Sequence, residues 1–194
     1  MAVDAQPAHA SKFNLPAWQR IDSTIVFDHP RIRLAEDTVE SPAGERTKWL
    51  YYPGAQAFVT VIAINDAHQI LVSYQYNYPP NKVVDEFPGG GIEHGESPED
   101  AGQRELLEET GWFAHTVQKI GHFRVDNRRT DKICHVLLAT KLELRAAAPE
   151  AFEAIAFEWL DPPMLRDAIA NGAIENGNLL AAWAIFTAID GEYV

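Results

Sequence analysis

Glu105, Glu108 and Glu109 are the residues of this 194-residue chain best suited to chemistry. They stand at i, i+3 and i+4, so on a helix the three carboxylates share one face. Like charges so placed repel by roughly 0.2–0.5 kcal/mol per pair where exposed, and by more where water is excluded. A hard divalent cation would offset that repulsion. Carboxylates with backbone carbonyls suit magnesium, which keeps waters and bridges to phosphates. Arg104 lies four residues before Glu108 and can hold that carboxylate in a fixed rotamer, acting on the glutamates rather than on a substrate. The alternative is an acidic, solvated helix face that binds nothing.

The elements around the carboxylates are legible from local chemistry. Ser97 is a good N-cap, Pro98 suits the first helical position, Glu99 and Asp100 favour the positive end, and Asp100 completes a capping box with Ser97. Gly111 is the expected stop, and Gly102 with Leu106 offers a packing side. Upstream, Pro88-Gly89-Gly90-Gly91 frees the backbone to approach a ligand closely. Glu93 and Glu96, on the loop between, are further acidic candidates, although Glu93 reads equally as an exposed loop charge.

The whole stretch, from Gly90-Gly91-Ile92-Glu93 through Glu96, Arg104-Glu105, Glu108-Glu109 and Gly111-Trp112, resembles the box of the Nudix hydrolase superfamily at every specified position. Seven specified and two apolar residues at fixed spacing arise by chance in roughly one window per billion. Gln75-Tyr76-Asn77-Tyr78-Pro79 and Glu86-Phe87-Pro88-Gly89-Gly90 resemble the ADP-ribose and nucleoside-diphosphate-sugar pyrophosphatase branch, and the likeness runs over about residues 24–189. It implies metal-dependent cleavage of a diphosphate, with Glu105, Glu108, Glu109 and the Gly89 carbonyl as metal ligands. It makes Glu105, Glu109 and Arg104 catalytic candidates and implies a loop glutamate, best matched by Glu153, as the base. Two departures bear on the terminal group: Asn77 stands where that branch commonly has arginine, and residues 125–131 lack its Ser-Pro-Gly type segment.

Composition fits one enzyme domain with an extra N-terminal piece. Hydrophobic residues at 46% and aromatics at 10% argue against disorder. A formal charge of −12 argues against a nucleic-acid surface. An anionic substrate must then be met by metal and a few local arginines. Cys134 is the single cysteine and reads as a small buried strand residue, and the seven histidines show no zinc-like spacing. The N-terminus lacks a basic region followed by an apolar core, and apolar runs fall short of a membrane span, so a cytoplasmic location and no membrane partner are expected.

In chain order, residues 1–22 read as a mobile tail and 23–53 as a small antiparallel β extension, with strands near 24–27, 32–34 and 49–52. In the branch that the chain resembles, such an extension builds a homodimer, which would make Arg46 and Trp49 candidates for phosphate and base. Read from the residues alone, they are an exposed arginine and an interface tryptophan. Residues 54–194 read as the Nudix domain. Within it, 57–64 and 69–76 read as a buried hairpin and 83–87 as a short strand. A strand pair at 118–124 and 132–144 encloses a basic loop with Arg128. Residues 156–160 read as a strand, and 162–171 and 178–189 as helices, the last with Leu179, Trp183 and Phe186 on one face. The fold expected is α/β, an α/β/α sandwich with a mixed β-sheet.

The expected function is Mg2+-dependent hydrolysis of a nucleoside-diphosphate sugar, ADP-ribose or similar, with Mn2+ able to substitute and Arg46, Trp49, Tyr76, Glu93 and Arg128 as substrate contacts. The alternatives are another diphosphate (GDP-mannose, a dinucleotide or a nucleoside triphosphate) and a non-catalytic module that binds a nucleotide sugar.

Overall fold

Strands β1 (Gln19–His29), β2 (Ile32–Glu40) and β3 (Arg46–Tyr51) form an antiparallel sheet in the order β1-β2-β3. The computed structural model describes residues 15–54, 56–145 and 155–189. These divide into two units, one running to Gly54 and taking in residues 128–130, the other holding the remainder. The first strand starts at Gln19, so residues 19–22, expected in the tail, are strand. Register shifts between Arg20 and Asp22 and between Ile25 and Phe27 break the period-two alternation that would have announced them. Residues 128–130 are tied to β3 and the turn after it. The Trp49 indole donates to the Arg128 carbonyl at 2.9 Å, Tyr52 N–H to the Arg129 carbonyl at 2.7 Å, and the Arg129 guanidinium to the Leu50 carbonyl at 3.2 Å.

The second unit contains β4 (Phe58–Ala63), β5 (Ile70–Asn77), β6 (Lys82–Glu86), α1 (Pro98–Thr110), β7 (Trp112–Arg124), β8 (Ile133–Leu144), β9 (Ile155–Leu160), α2 (Pro162–Ala170) and α3 (Gly177–Ile189). Its strands form two sheets, β4-β8-β7 and β6-β5-β9, with β4 parallel to β8 and the other pairs antiparallel. The pleat sorts the core. Val59, Val61 and Ala63 of β4 and Leu137 and Ala139 of β8 pack with Ala101 and Leu106 of α1. Ile62 of β4 and Val136 of β8 pack on the other side with Leu165, Leu179, Trp183 and Phe186 of α2 and α3. The result is an α/β/α sandwich. Burying Leu106 completely contributes about 1.5–3 kcal/mol.

The expected hairpin of residues 57–76 is not formed. β4 and β5 enter different sheets, and an isolated bridge between Ile64, just past the end of β4, and Ile70 is what remains of the expected pairing. Their connection is an Asx turn in which the Asn65 side chain accepts from Ala67 N–H at 3.0 Å and Gln69 N–H at 2.9 Å. β4 takes its hydrogen bonds from β8, with Phe58 opposite Cys134, and two wholly apolar strands carry no local mark of such a distant partner. β7 begins at Trp112, six residues ahead of the expected 118, directly after the helix stop. Its largely exposed face and the irregularity between Lys119 and Gly121 hide it from pattern reading.

Cys134 is fully buried in β8, and burial pushes its thiol up to about 12. Among the described residues no helix is long and apolar enough to cross a membrane.

Candidate active site

The glycine-rich segment lies flat on β4. Val59 N–H donates to the Gly90 carbonyl at 2.9 Å and Val61 N–H to the Pro88 carbonyl at 2.8 Å. A Cβ on Gly89 would fall 2.2 Å from the Val59 carbonyl oxygen, so only glycine fits there. On the other side stands α1, fixed at both ends as its sequence requires. Ser97 Oγ accepts from Asp100 N–H at 3.1 Å, and Gly111, at φ 76°, donates to the Leu107 carbonyl. Gly102 lets the helix come close, since a Cβ there would meet Leu137 Cδ1 at 2.1 Å.

Two carboxylates one helical turn apart thereby reach the glycine backbone. Glu109 Oε2 accepts from Gly89 N–H at 3.2 Å, and the Glu105 carboxylate fills the space where a Gly90 side chain would stand. Arg104 organises the rest. Its guanidinium donates to Glu96 Oε1 at 3.0 Å and Oε2 at 3.1 Å, to Glu105 Oε1 at 2.8 Å, to Glu108 Oε2 at 3.2 Å and to the Gly91 carbonyl at 2.9 Å. Bonded chiefly to Glu96 and then to Glu105, it is held above its ordinary range, and it lowers Glu96 in turn. The sequence pairs Arg104 with Glu108 alone. In the structure it engages three carboxylates, so the repulsion on this helix is offset from within the protein.

Among the described residues no group of three or more carboxylate, histidine or cysteine side chains is gathered around a point where a metal would sit. The trio Glu105, Glu108 and Glu109 is therefore not a ready cage, because Glu108 turns to Arg104 at 42% side-chain exposure. The donor chemistry still fits a hard divalent cation: Glu105 and Glu109 bring carboxylate oxygens to adjacent glycines.

The other expected residues are placed as follows. Tyr76, exposed on β5, donates to Asn81 Oδ1 at 2.7 Å. The Glu93 side chain is exposed, and its backbone N–H donates to Glu96 Oε2 at 2.9 Å. Arg46, Trp49 and Arg128 belong to the N-terminal unit. There Arg46 pairs with Glu40 at 2.7 Å, and Trp49 sits edge-on to Trp18 with ring centroids 6.3 Å apart. Glu150 and Glu153 lie outside the described residues.

Sequence reasoning missed the pairing of Asn77 with Glu86. Asn77 Nδ2 donates to Glu86 Oε1 at 2.6 Å, and burial raises the Glu86 carboxyl above its ordinary range, a rise that the Asn77 bond opposes. Both residues lie in the quoted motifs, but nothing in their spacing announces the contact.

Residues 55–183 match the NUDIX domain. The ADP-ribose pyrophosphatase of Bacillus subtilis (strain 168) is 36% identical over 121 residues, covering 61% of this chain and 64% of that protein. The methanol dehydrogenase activator of Bacillus methanolicus is 34% identical over 125 residues, covering 63% and 66%. The match thus spans just under two thirds of the length of these two relatives. A CMP-5'-(N-acetyl-N-hydroxy-3-aminopropyl)phosphonate hydrolase of Streptomyces rubellomurinus is 24% identical over 172 residues, covering 87% and 82%. A solved structure described as an ADP compounds hydrolase superposes with a TM-score of 0.83 over 91% of this chain and 95% of its own, at 16% identity, a likeness of fold.

Proposed function

The chain belongs to the NUDIX family, and from that premise we propose that it hydrolyses the pyrophosphate bond of a nucleoside-diphosphate sugar, ADP-ribose or a close relative, to a nucleoside monophosphate and a sugar phosphate. The observation that carries this reading is the meeting of Glu105 and Glu109 with the Gly89–Gly90 backbone beside the Arg104 network. The likeness to an ADP-ribose pyrophosphatase supports the substrate class.

Members of the family generally use a divalent metal, and Mg2+ is the one proposed here, with Mn2+ able to substitute. Glu105, Glu109, Glu108 and the Gly89 carbonyl would hold it. A cation held there would supply charge neutralisation for the diphosphate and acidification of the attacking water. Arg104 keeps the Glu105 carboxylate in place and stabilises the acidic cluster while the site is free of substrate. Gly89 brings main-chain atoms to the reacting groups without a side chain in the way. Glu153 or a glutamate of α1 accepts the proton of the attacking water. Arg46, Trp49, Tyr76, Glu93 and Arg128 are the proposed substrate contacts.

We also propose a homodimer built on the N-terminal sheet, where Trp18, Ile25 and Phe27 stand about half exposed. A cytoplasmic location goes with a single cysteine that has no partner for an internal disulfide.

The experiment is a product-release screen of purified protein against ADP-ribose, ADP-glucose, GDP-mannose, a dinucleotide and nucleoside triphosphates, with Mg2+ or Mn2+. Nucleoside-diphosphate sugars should be turned over fastest, and only with metal. Absence of turnover on every one of them would overturn the reading.

A further inference from the structure

A cavity of about 110 Å3 opens beside Gly89, between β4, β6 and the start of α3. At the roughly 30 Å3 that a water takes up in the liquid it has room for about four waters, and so for a few hydroxyl groups. Its polar wall is made by Glu86, Thr60, Asn176 and Asn178. Gly89 lines the cavity and also donates to Glu109 at 3.2 Å, so the cavity adjoins the carboxylate site.

We propose that this cavity is the subsite for the hydroxyl-bearing terminal group of the substrate, and that Glu86 and Asn178 read its hydroxyls. The proposal rests on the pyrophosphatase reading and extends it to the question of which end of the substrate is selected. Glu86 is fixed by Asn77, which takes one carboxylate oxygen at 2.6 Å. A half-buried carboxylate is stabilised by hydroxyl donors, and burial is what raises Glu86. Asn176 Oδ1 accepts from Asn178 N–H at 2.8 Å and from Leu179 N–H at 3.1 Å. It thereby anchors the first turn of α3 that presents the Asn178 amide. A base-binding site would need an open aromatic face. Phe87 is buried in the core, and Phe58 already carries the Lys132 ammonium 4.7 Å from its ring centroid. The lining therefore favours a polyol over a nucleobase.

The test compares ADP-ribose with ADP esterified on its terminal phosphate by methanol. Both yield AMP, and both carry the same diphosphate, but the methyl ester lacks the sugar hydroxyls. The wild-type chain should prefer ADP-ribose by about a hundredfold in kcat/KM. Glu86→Gln should cut kcat/KM for ADP-ribose by about tenfold or more and leave the methyl ester within about twofold. Asn178→Ala, which keeps the backbone cap, should move the ratio the same way and carries the test if Glu86→Gln does not fold. A wild-type chain that cleaves both substrates equally overturns the subsite and leaves the pyrophosphatase reading standing. So do variants that lower both substrates together or neither. A wild-type chain that cleaves neither overturns both.

Discussion

A Cβ built on Gly90 would lie 2.4 Å from Oε1 of Glu105, so this carboxylate occupies the room that a missing side chain leaves. Gly90→Ala should push it aside at little cost to the fold, since the atom met is the far end of a flexible side chain. Displacement of a reacting group by about 1 Å costs on the order of a hundredfold in rate. The turnover number should therefore fall by about 10- to 100-fold while the melting temperature barely moves. Unchanged turnover would show that the position of Glu105 is immaterial.

Glu105→Gln keeps the volume and removes the charge. The turnover number should drop by on the order of a thousandfold, about 4 kcal/mol of barrier, with much less change in substrate affinity. In the wild-type chain chelation should abolish turnover. A cation bound only to the native state should stabilise it by about 2.7 kcal/mol at a hundred times its dissociation constant. Thermal unfolding with and without Mg2+ reads this, and an identical curve for wild type in both would remove the cation site.

Arg104→Gln takes away the donor shared by Glu96, Glu105 and Glu108 and should cost about 1–2 kcal/mol of stability near neutral pH. The cost should depend on pH. Arg104 depresses the Glu96 carboxyl, so the stabilisation is fully present above the unfolded-state value, roughly 4.3, and is lost as pH falls through the lower folded-state value. Denaturant unfolding from pH 7 to pH 3 should show the gap between wild type and variant closing on the acid side. A gap that stays constant would uncouple Arg104 from Glu96.

Gly102→Ala sets two effects against each other. Alanine gains about 1 kcal/mol of helix propensity, but its Cβ would stand 2.1 Å from Cδ1 of the fully buried Leu137. Overpacking costs about 1–3 kcal/mol, and Leu137 has no solvent to retreat into, so a net loss is expected. Adding Leu137→Ala should recover part of it, giving a coupling of about 1 kcal/mol in a double-mutant cycle. Strictly additive changes would mean that α1 has shifted instead.

The exposed N-terminal sheet predicts a solution mass of twice 21.6 kDa by light scattering at micromolar concentration. Phe27→Glu should bring that mass down to one chain. A single-chain mass for the wild type would end the dimer proposal.

What the sequence makes legible is what is local. Ser97, Pro98, Asp100 and Gly111 specify the ends of α1 within a turn of themselves, and the structure places those ends accordingly. The three glutamates follow from helical spacing. The bond from Arg104 to Glu96 does not, because Arg104 stands inside α1 while Glu96 belongs to the loop ahead of the helix, where the chain is turned by Gly95 at φ 84°. Nor does the parallel pairing of β4 with β8, some seventy residues apart, which turned an expected hairpin into strands of two different sheets. Asn77 drew notice as a departure from the family pattern. That it holds Glu86 at the wall of a cavity depends on the antiparallel pairing of β5 with β6, which brings two residues nine apart together.

Burial of Cys134 has a practical side. With its thiol pushed up to about 12 by burial, little reactive thiolate forms near neutral pH, and the side chain is buried. Alkylating dyes should therefore pass the native chain by. A His94→Cys replacement, on the exposed loop just ahead of Ser97, would then be the sole labelling position. A fluorophore there would report ligand arrival at the start of α1 without any need to remove the natural cysteine.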